Sequence, residues 1–304
     1  MSEIKIPLKM HVGGPCSPIV KVGDRVLRGQ LIAEPSGLGA NIHASYTGEI
    51  TAVTETDIVI KADDKQNFDE YVKIPDTKTN LEAIAAAGVV GAGGAGFPTA
   101  VKLKTEIPQG CFIANCAECE PLLAHNIHQI ETDAAQLVRG VKYAMEITKA
   151  PKGYIAIKPK HKKAVIELIK ACRNEDNIDV FRLPDMYPAG DERVIVREVM
   201  GIELEPGQLP GTVGACIDNA ETLKNIALAI EERKPVIDKD VTVSGRVAHK
   251  ESVFVDVPIG TPMGDLIERA GGFINRTVKS SSADLKRAER DRKKLRLPKQ
   301  AAVA

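Results

Sequence analysis

No apolar run in the 304 residues approaches the roughly 18–20 needed to cross a bilayer, and Met1–Pro7 has no signal-peptide apolar stretch. A soluble, cytoplasmic chain is expected, docked to a membrane at most through a partner. Net charge is also missing. Lys plus Arg and Asp plus Glu balance at 41 each, so no basic field calls for nucleic acid. Six cysteines in a chain of this length do not make a secreted disulfide framework. At 43% hydrophobic and 27% charged residues, the composition excludes disorder and fibrous repeats. At about 150 residues per domain, two or three domains are expected.

The pattern divides the chain into a multi-domain protein. Residues 1–70 hold short β-branched runs, among them Pro18–Asp24, Val26–Ala33, Gly48–Val53 and Ile58–Ile60, broken by Gly and Pro. They predict a small β-sandwich or barrel. Residues 77–234 alternate strand and helix signals. Cys111–Ala114, Tyr154–Ile157 and Ile178–Phe181 read as strands. Ile127, Ile130, Leu137, Val138, Val141, Ala144 and Met145 mark one amphipathic helix, and Ala164, Val165, Leu168, Ile169 and Cys172 a second. That order predicts an α/β domain with parallel strands. Residues 237–278 predict a small α+β module with a hairpin (241–245 and 253–258) and a short helix. Residues 279–304 are basic and aperiodic, the pattern of a solvated, disordered tail.

The stretch Gly88–Lys102 is the most informative. Gly91, Gly93, Gly94 and Gly96 let the backbone approach a ligand without obstruction from Cβ atoms. A helix starting near Pro98 would turn free amides toward a phosphate, with Lys102 adding charge and Phe97 a stacking surface. A tight turn under close helix packing is the alternative. Cys111, Cys116 and Cys119 have the spacing C-x4-C-x2-C, which fits an iron–sulfur cluster, a redox dithiol at Cys116 and Cys119, or ordinary buried thiols. His125 and His128 share a helix face without a third metal ligand, so no metal site is assigned.

The glycine stretch closely resembles the G-x-G-G-A-G-F-P-T motif shared by the flavin-binding subunit of respiratory complex I and the RnfC component of the Rnf electron-transport complex. Asn115–Pro121, Tyr187–Glu192 and Asp218–Leu223 resemble further segments of that family, in the same order. Pro18–Gly29 with Ile42–Ser45 is similar to RnfC and to the related electron-transfer protein associated with D-proline reductase. The resemblance implies three modules: an N-terminal lipoyl/biotinyl-like β-sandwich hybrid, a central FMN-binding α/β domain, and a C-terminal β-grasp of the soluble-ligand-binding type. It implies FMN held by Gly91, Gly93, Gly94, Gly96, Lys102, Asn115, Asn219 and Thr222. NADH would face Glu118, Glu120 and Glu192, with Phe97 stacked on its ring. Ala117 stands where complex I usually has an acid.

Lipoyl-type carriers need a lysine at the hairpin tip. Here Glu34–Asn41 has none, so the module is expected to dock rather than swing. Rnf relatives carry C-x2-C-x2-C-x3-C-P runs for [4Fe–4S] clusters, which this chain lacks, and the tail resembles a truncation or frame change. The implied activity is transfer of a hydride from NADH to FMN and of electrons onward to redox subunits or to a thiol- or selenol-containing reductase. A non-catalytic scaffold that binds ligand is the reading from another class.

Overall fold

The computed structural model describes residues 3–118, 120, 122–249 and 252–274. Cys119 and the basic tail lie outside the described residues. The N-terminal module contains β1 (Glu3–Pro7), β2 (Cys16–Pro18), β3 (Arg25–Val26), β4 (Leu31–Pro35), β5 (Ile42–His43), β6 (Gly48–Val53) and β7 (Asp57–Ala62). They form two antiparallel sheets, ordered β1-β7-β6-β3 and β2-β4-β5. Ile4, Ile6, Ile32, Ile42, Ile50, Ile58 and Ile60 fill the space between them. The alternation of buried and exposed residues along β1 shows one face turned to that core.

The α/β domain opens with α1 (Asn80–Ala86). Thr79 and Glu82 close a reciprocal capping box at its start. It continues with α2 (Thr99–Lys102), β8 (Cys111–Asn115), α3 (His125–Thr148), β9 (Lys152–Ile157), α4 (Lys162–Ala171), β10 (Ile178–Arg182), α5 (Glu192–Met200), β11 (Ala215–Asn219) and α6 (Ala220–Glu231). The four strands are parallel, in the order β10-β9-β8-β11. The chain steps outward from β8 through β9 to β10, then returns to the other side of β8. Helices α3, α4 and α6 pack on one face through Leu137, Leu168 and Leu223, and α5 covers the other through Ile195 and Val196.

Close approach is built into the α3–α6 contact. A Cβ at Gly140 would sit 2.2 Å from the Leu223 carbonyl oxygen. Glycine in mid-helix costs about 0.5–1 kcal/mol, accepted here so that the two backbones can meet.

Two expectations change. The α4 stripe is narrower than its spacing predicts. Ile169, like Ile166, is half exposed, and burial falls on Ala164, Val165 and Leu168. The fourth parallel strand, β11, lies inside a segment that the sequence marks only as a motif.

The hairpin β12 (Asp238–Val243) and β13 (Ser252–Pro258), followed by α7 (Met263–Arg269), completes the described chain. Every residue of β12 is buried, although it begins Asp-Lys-Asp. Each charge has a counter-charge on another element. Arg28 donates through Nη2 to both Asp238 oxygens at 2.7 Å, and Lys234 adds a contact at 3.0 Å. Lys239 pairs with Glu221, and Asp240 accepts from Lys224 at 2.9 Å. Ser45 Oγ donates to the Ile259 carbonyl at 2.5 Å, so the hairpin seats against the N-terminal module as well. That module also reaches the α/β domain directly: Asn41 Nδ2 donates to the Ala86 carbonyl at 3.2 Å.

Removing one partner of a buried ion pair costs about 3–5 kcal/mol, because the other charge is stranded. With Lys234 still in place, Arg28→Met is expected at the lower end, about 3 kcal/mol in urea unfolding. A loss below about 1 kcal/mol would mean that Asp238 is hydrated rather than paired.

Candidate functional site

In an open α/β sheet, ligands bind beyond the carboxyl ends of the strands where the strand order reverses. Here that reversal lies between β8 and β11, whose last residues, Asn115 and Asn219, are register partners. The glycine stretch runs into this crevice. Gly91 donates to the Phe97 carbonyl at 3.0 Å, closing a loop whose tip, Gly93 to Ala95, is exposed. Ala92 N donates to Thr222 Oγ1 at 2.9 Å, and a Cβ on Gly93 would lie 3.0 Å from Asn219 Nδ2. The first turn of α6 therefore holds one side of the loop. On the other side, Val12 N donates to the Gly96 carbonyl at 3.1 Å, bringing the N-terminal module to the site.

Among the described residues, the amides of Gly93, Gly94 and Phe97 donate to nothing. A Cβ on Gly94 would meet no atom within 4 Å. Free donors around open space, at the sheet's reversal point, form a cradle that suits a phosphate-bearing group such as FMN. The helix expected to help does not. The α2 helix is a single turn from Thr99, and its first amide is taken by the Val89 carbonyl at 3.0 Å. Any grip on an anion falls to the loop amides.

Lys102 lies beneath the loop, donating to Asp218 Oδ1 at 2.9 Å and to the Ile217 carbonyl at 2.7 Å. Burial pulls its ammonium down, but the neighbouring Asp218 carboxylate outweighs this and leaves the pKa raised. Lys102 is therefore a fixed cation. Asp218 is a residue that sequence reasoning does not single out as a site. It is 2% exposed, and its second oxygen, Oδ2, has no partner. The signal that could have found it is its place next to Asn219 at the end of an apolar run. Glu192 opens α5 next to this pair. Its carboxyl is raised by burial, opposed by Lys102 and reinforced by Asp218. Asn115 Nδ2 donates to the Gly190 carbonyl at 2.9 Å and joins the tyrosine–glycine–acid segment to the crevice.

The structure thus gathers Gly91, Gly93, Gly94, Gly96, Phe97, Lys102, Asn115, Asn219, Thr222 and Glu192 at one edge. Glu120 is exposed on the loop after β8. Glu118 differs from the expectation. Its carboxylate is buried against α3, accepting from Asn126 N at 2.9 Å and Asn126 Nδ2 at 3.1 Å. Helix α3 has no side-chain cap of its own at Ala124, so Glu118 supplies the negative group its amino end favours. His125 is buried and His128 exposed, so the pair does not converge.

The cysteines face different surroundings. Cys111 packs into the cluster on the α5 face of the sheet and Cys116 into the cluster on the α3 face. Burial pushes the Cys111 and Cys172 thiols from 9.0 up to about 11. It pushes Cys116 and Cys216 higher still. The native state therefore keeps protons that the unfolded state loses, and this stability is present below pH 9 and lost as pH rises toward 11. Replacing Cys111 and Cys172 with Ala is expected to flatten the decline of the urea midpoint across that window. An unchanged slope would mean that these thiols are not held neutral.

Residues 84–228 match the family described as the Nuo51 FMN-binding domain, and residues 1–68 match the RnfC barrel sandwich hybrid domain. The C component of the Na(+)-translocating ferredoxin:NAD(+) oxidoreductase complex of Acetobacterium woodii is 34% identical over 288 residues, 88% of this chain. The chain covers 64% of that relative's length. Cobalamin reductase PduS of Salmonella typhimurium is 44% identical over 191 residues, 63% of this chain and 41% of that protein. A solved NAD+-reducing [NiFe]-hydrogenase shares the fold with a TM-score of 0.54 at 22% identity, over 64% of this chain and 39% of the other. In succession, the chain thus carries the RnfC barrel sandwich hybrid domain and the Nuo51 FMN-binding domain, and through most of its length it is similar to the C components of ion-translocating ferredoxin:NAD(+) oxidoreductase complexes.

Proposed function

We propose that the chain is an electron-transfer flavoprotein subunit that takes a hydride from NADH onto FMN and passes electrons to a redox partner. The observation that carries this reading is the exposed loop tip with the unused amides of Gly93, Gly94 and Phe97 at the reversal point of a parallel sheet. When bound, FMN would supply the redox chemistry, accepting a hydride as two electrons and a proton and releasing the electrons singly or in pairs. The chain's own residues bind, orient and tune. The loop amides suit phosphate, and Lys102 supplies a cation held in place by Asp218. The unpartnered Asp218 Oδ2 is an acceptor ready for a ligand hydroxyl or N–H. Phe97 offers a ring to stack on. Glu120 and Glu192 suit ribose hydroxyls and repel an additional 2′-phosphate, which favours NADH over NADPH. Glu118 supports the site from behind, as the cap of α3.

The relatives named as ferredoxin:NAD(+) oxidoreductase components support partners that are other redox subunits of a membrane-associated complex. Those relatives also support a peripheral place at that membrane, on its cytoplasmic face. Among the described residues no helix is long and apolar enough to cross a membrane. The N-terminal module is read as a docking unit. The hairpin with α7 is read as the β-grasp module of the soluble-ligand-binding type. Transfer to a thiol- or selenol-containing reductase through Cys116 and Cys119 gains no support from Cys116, whose thiol is fully buried and held neutral.

The decisive test is reconstitution with FMN, read as a flavin absorbance band near about 450 nm and its bleaching by NADH. Gly94→Ala sharpens it. Ala is tolerated at the Gly94 backbone angles and changes stability by no more than about 1 kcal/mol. Its methyl group occupies open space at the loop tip, where this reading seats the phosphate, so FMN affinity is expected to fall about tenfold. Equal affinity with unchanged stability would remove the loop from the cofactor site.

A further inference from the structure

We propose that Lys239, on the C-terminal hairpin and outside the α/β domain, is a positioning residue for the cofactor loop. It acts through Glu221 and the first turn of α6. The inference rests on the proposed function in taking that loop to be the cofactor cradle.

The first turn of α6 faces two ways. Asn219, its N-cap, accepts from Glu221 N at 2.9 Å and sets its amide against Gly93. Thr222 accepts from Ala92 N. Glu221, between them, turns away from the loop into the hairpin. Its Oε2 receives the Lys239 ammonium, and its Oε1 accepts from Asp240 N at 2.9 Å. Both side chains are sealed off, with exposures of 1% for Lys239 and 3% for Glu221.

Glu221 does not need Lys239 to cap the helix, because a carboxylate in a first turn already meets the positive end of the helix dipole. Complete burial is what requires the counter-charge. A buried carboxylate without its ammonium must be hydrated or protonated, and hydration at Glu221 means pulling the first turn of α6 off β12. Asn219 and Thr222 belong to that turn and would move with it. The loop tip has no main-chain bonds from Gly93 or Gly94 to hold it otherwise. The hairpin thus fixes the loop without touching it.

The full chain tests this with two variants. Lys239→Met alone strands the Glu221 charge and can unfold the protein. The double variant Glu221→Gln with Lys239→Met is neutral and near in volume, so it keeps the core filled. Peptide-level hydrogen exchange on the FMN-free protein reads the loop, and FMN titration reads the site. In Lys239→Met, amide exchange in residues 89–98 is expected to rise about tenfold or more while the parallel strands keep their protection, and in the double variant, which strands no charge, to return toward the wild-type rate. The FMN dissociation constant is expected to rise about tenfold in Lys239→Met and to stay near wild type in the double variant. Wild-type exchange in the loop of Lys239→Met would overturn the proposal, and so would acceleration spread evenly over the sheet, the mark of a merely structural pair. If the wild-type chain takes up no FMN, the cofactor reading fails separately, and loop exchange still decides the role of Lys239.

Discussion

Three charged side chains in a row on a strand with no exposed residue make an unusual demand on a fold. Asp238, Lys239 and Asp240 can be buried only if each finds an opposite charge, because an isolated ion in a low-dielectric interior is far too costly. The three partners come from different places: Arg28 from the N-terminal module, Glu221 from the start of α6, and Lys224 from the next turn of that helix. One strand is thereby tied to two other parts of the molecule. Replacing such pairs with hydrocarbon is often neutral or stabilising. What they provide here is direction, since a charge accepts far fewer arrangements than a methyl group does.

The candidate site uses the rigidity this creates. A phosphate cradle built from main-chain amides must keep its donors unsatisfied, so it cannot be stabilised by bonding to itself. Its position has to be set from outside. The Thr222 hydroxyl, the Asn219 side chain and the amide of Val12 do this from two sides. Below the loop, the Lys102–Asp218 pair keeps a fixed cation in a partly closed space. The parallel sheet contributes the opening itself, because the connections on either side of β8 run in opposite directions and leave its end uncovered.

Much of this was legible in the residues. Strands β8, β9 and β10 are short apolar runs, and the long stripe of α3 has an unambiguous period, so the α/β character and the parallel crossovers could be read. The glycine stretch stood out as a candidate ligand loop by its lack of side chains. Other features were not legible, for physical reasons. Strand β11 is five residues long and carries Asp and Asn at its end, so period and propensity are both silent. Ile169 fits a helical stripe, yet α4 lies near the sheet edge and buries only its narrow inner face. Glu118 sits in an acidic segment that looks solvated, but the Asn126 amide in the first turn of α3 draws it inward. The charges that open β12 fall outside the hairpin strand (241–245) expected from the sequence, because nothing local reveals partners up to 210 residues away.

That last separation has a bearing on how the molecule is made. Arg28 leaves the ribosome long before Asp238 does, and Ser45 long before Ile259. Strands β1 to β7 can pair early, but the guanidinium at their edge has no counter-ion until more than two hundred further residues have been synthesised. Throughout that interval the nascent N-terminal module presents a wet cation and an unfinished seam. It can close that seam only when the hairpin arrives, so a late-translated segment completes a module made long before it.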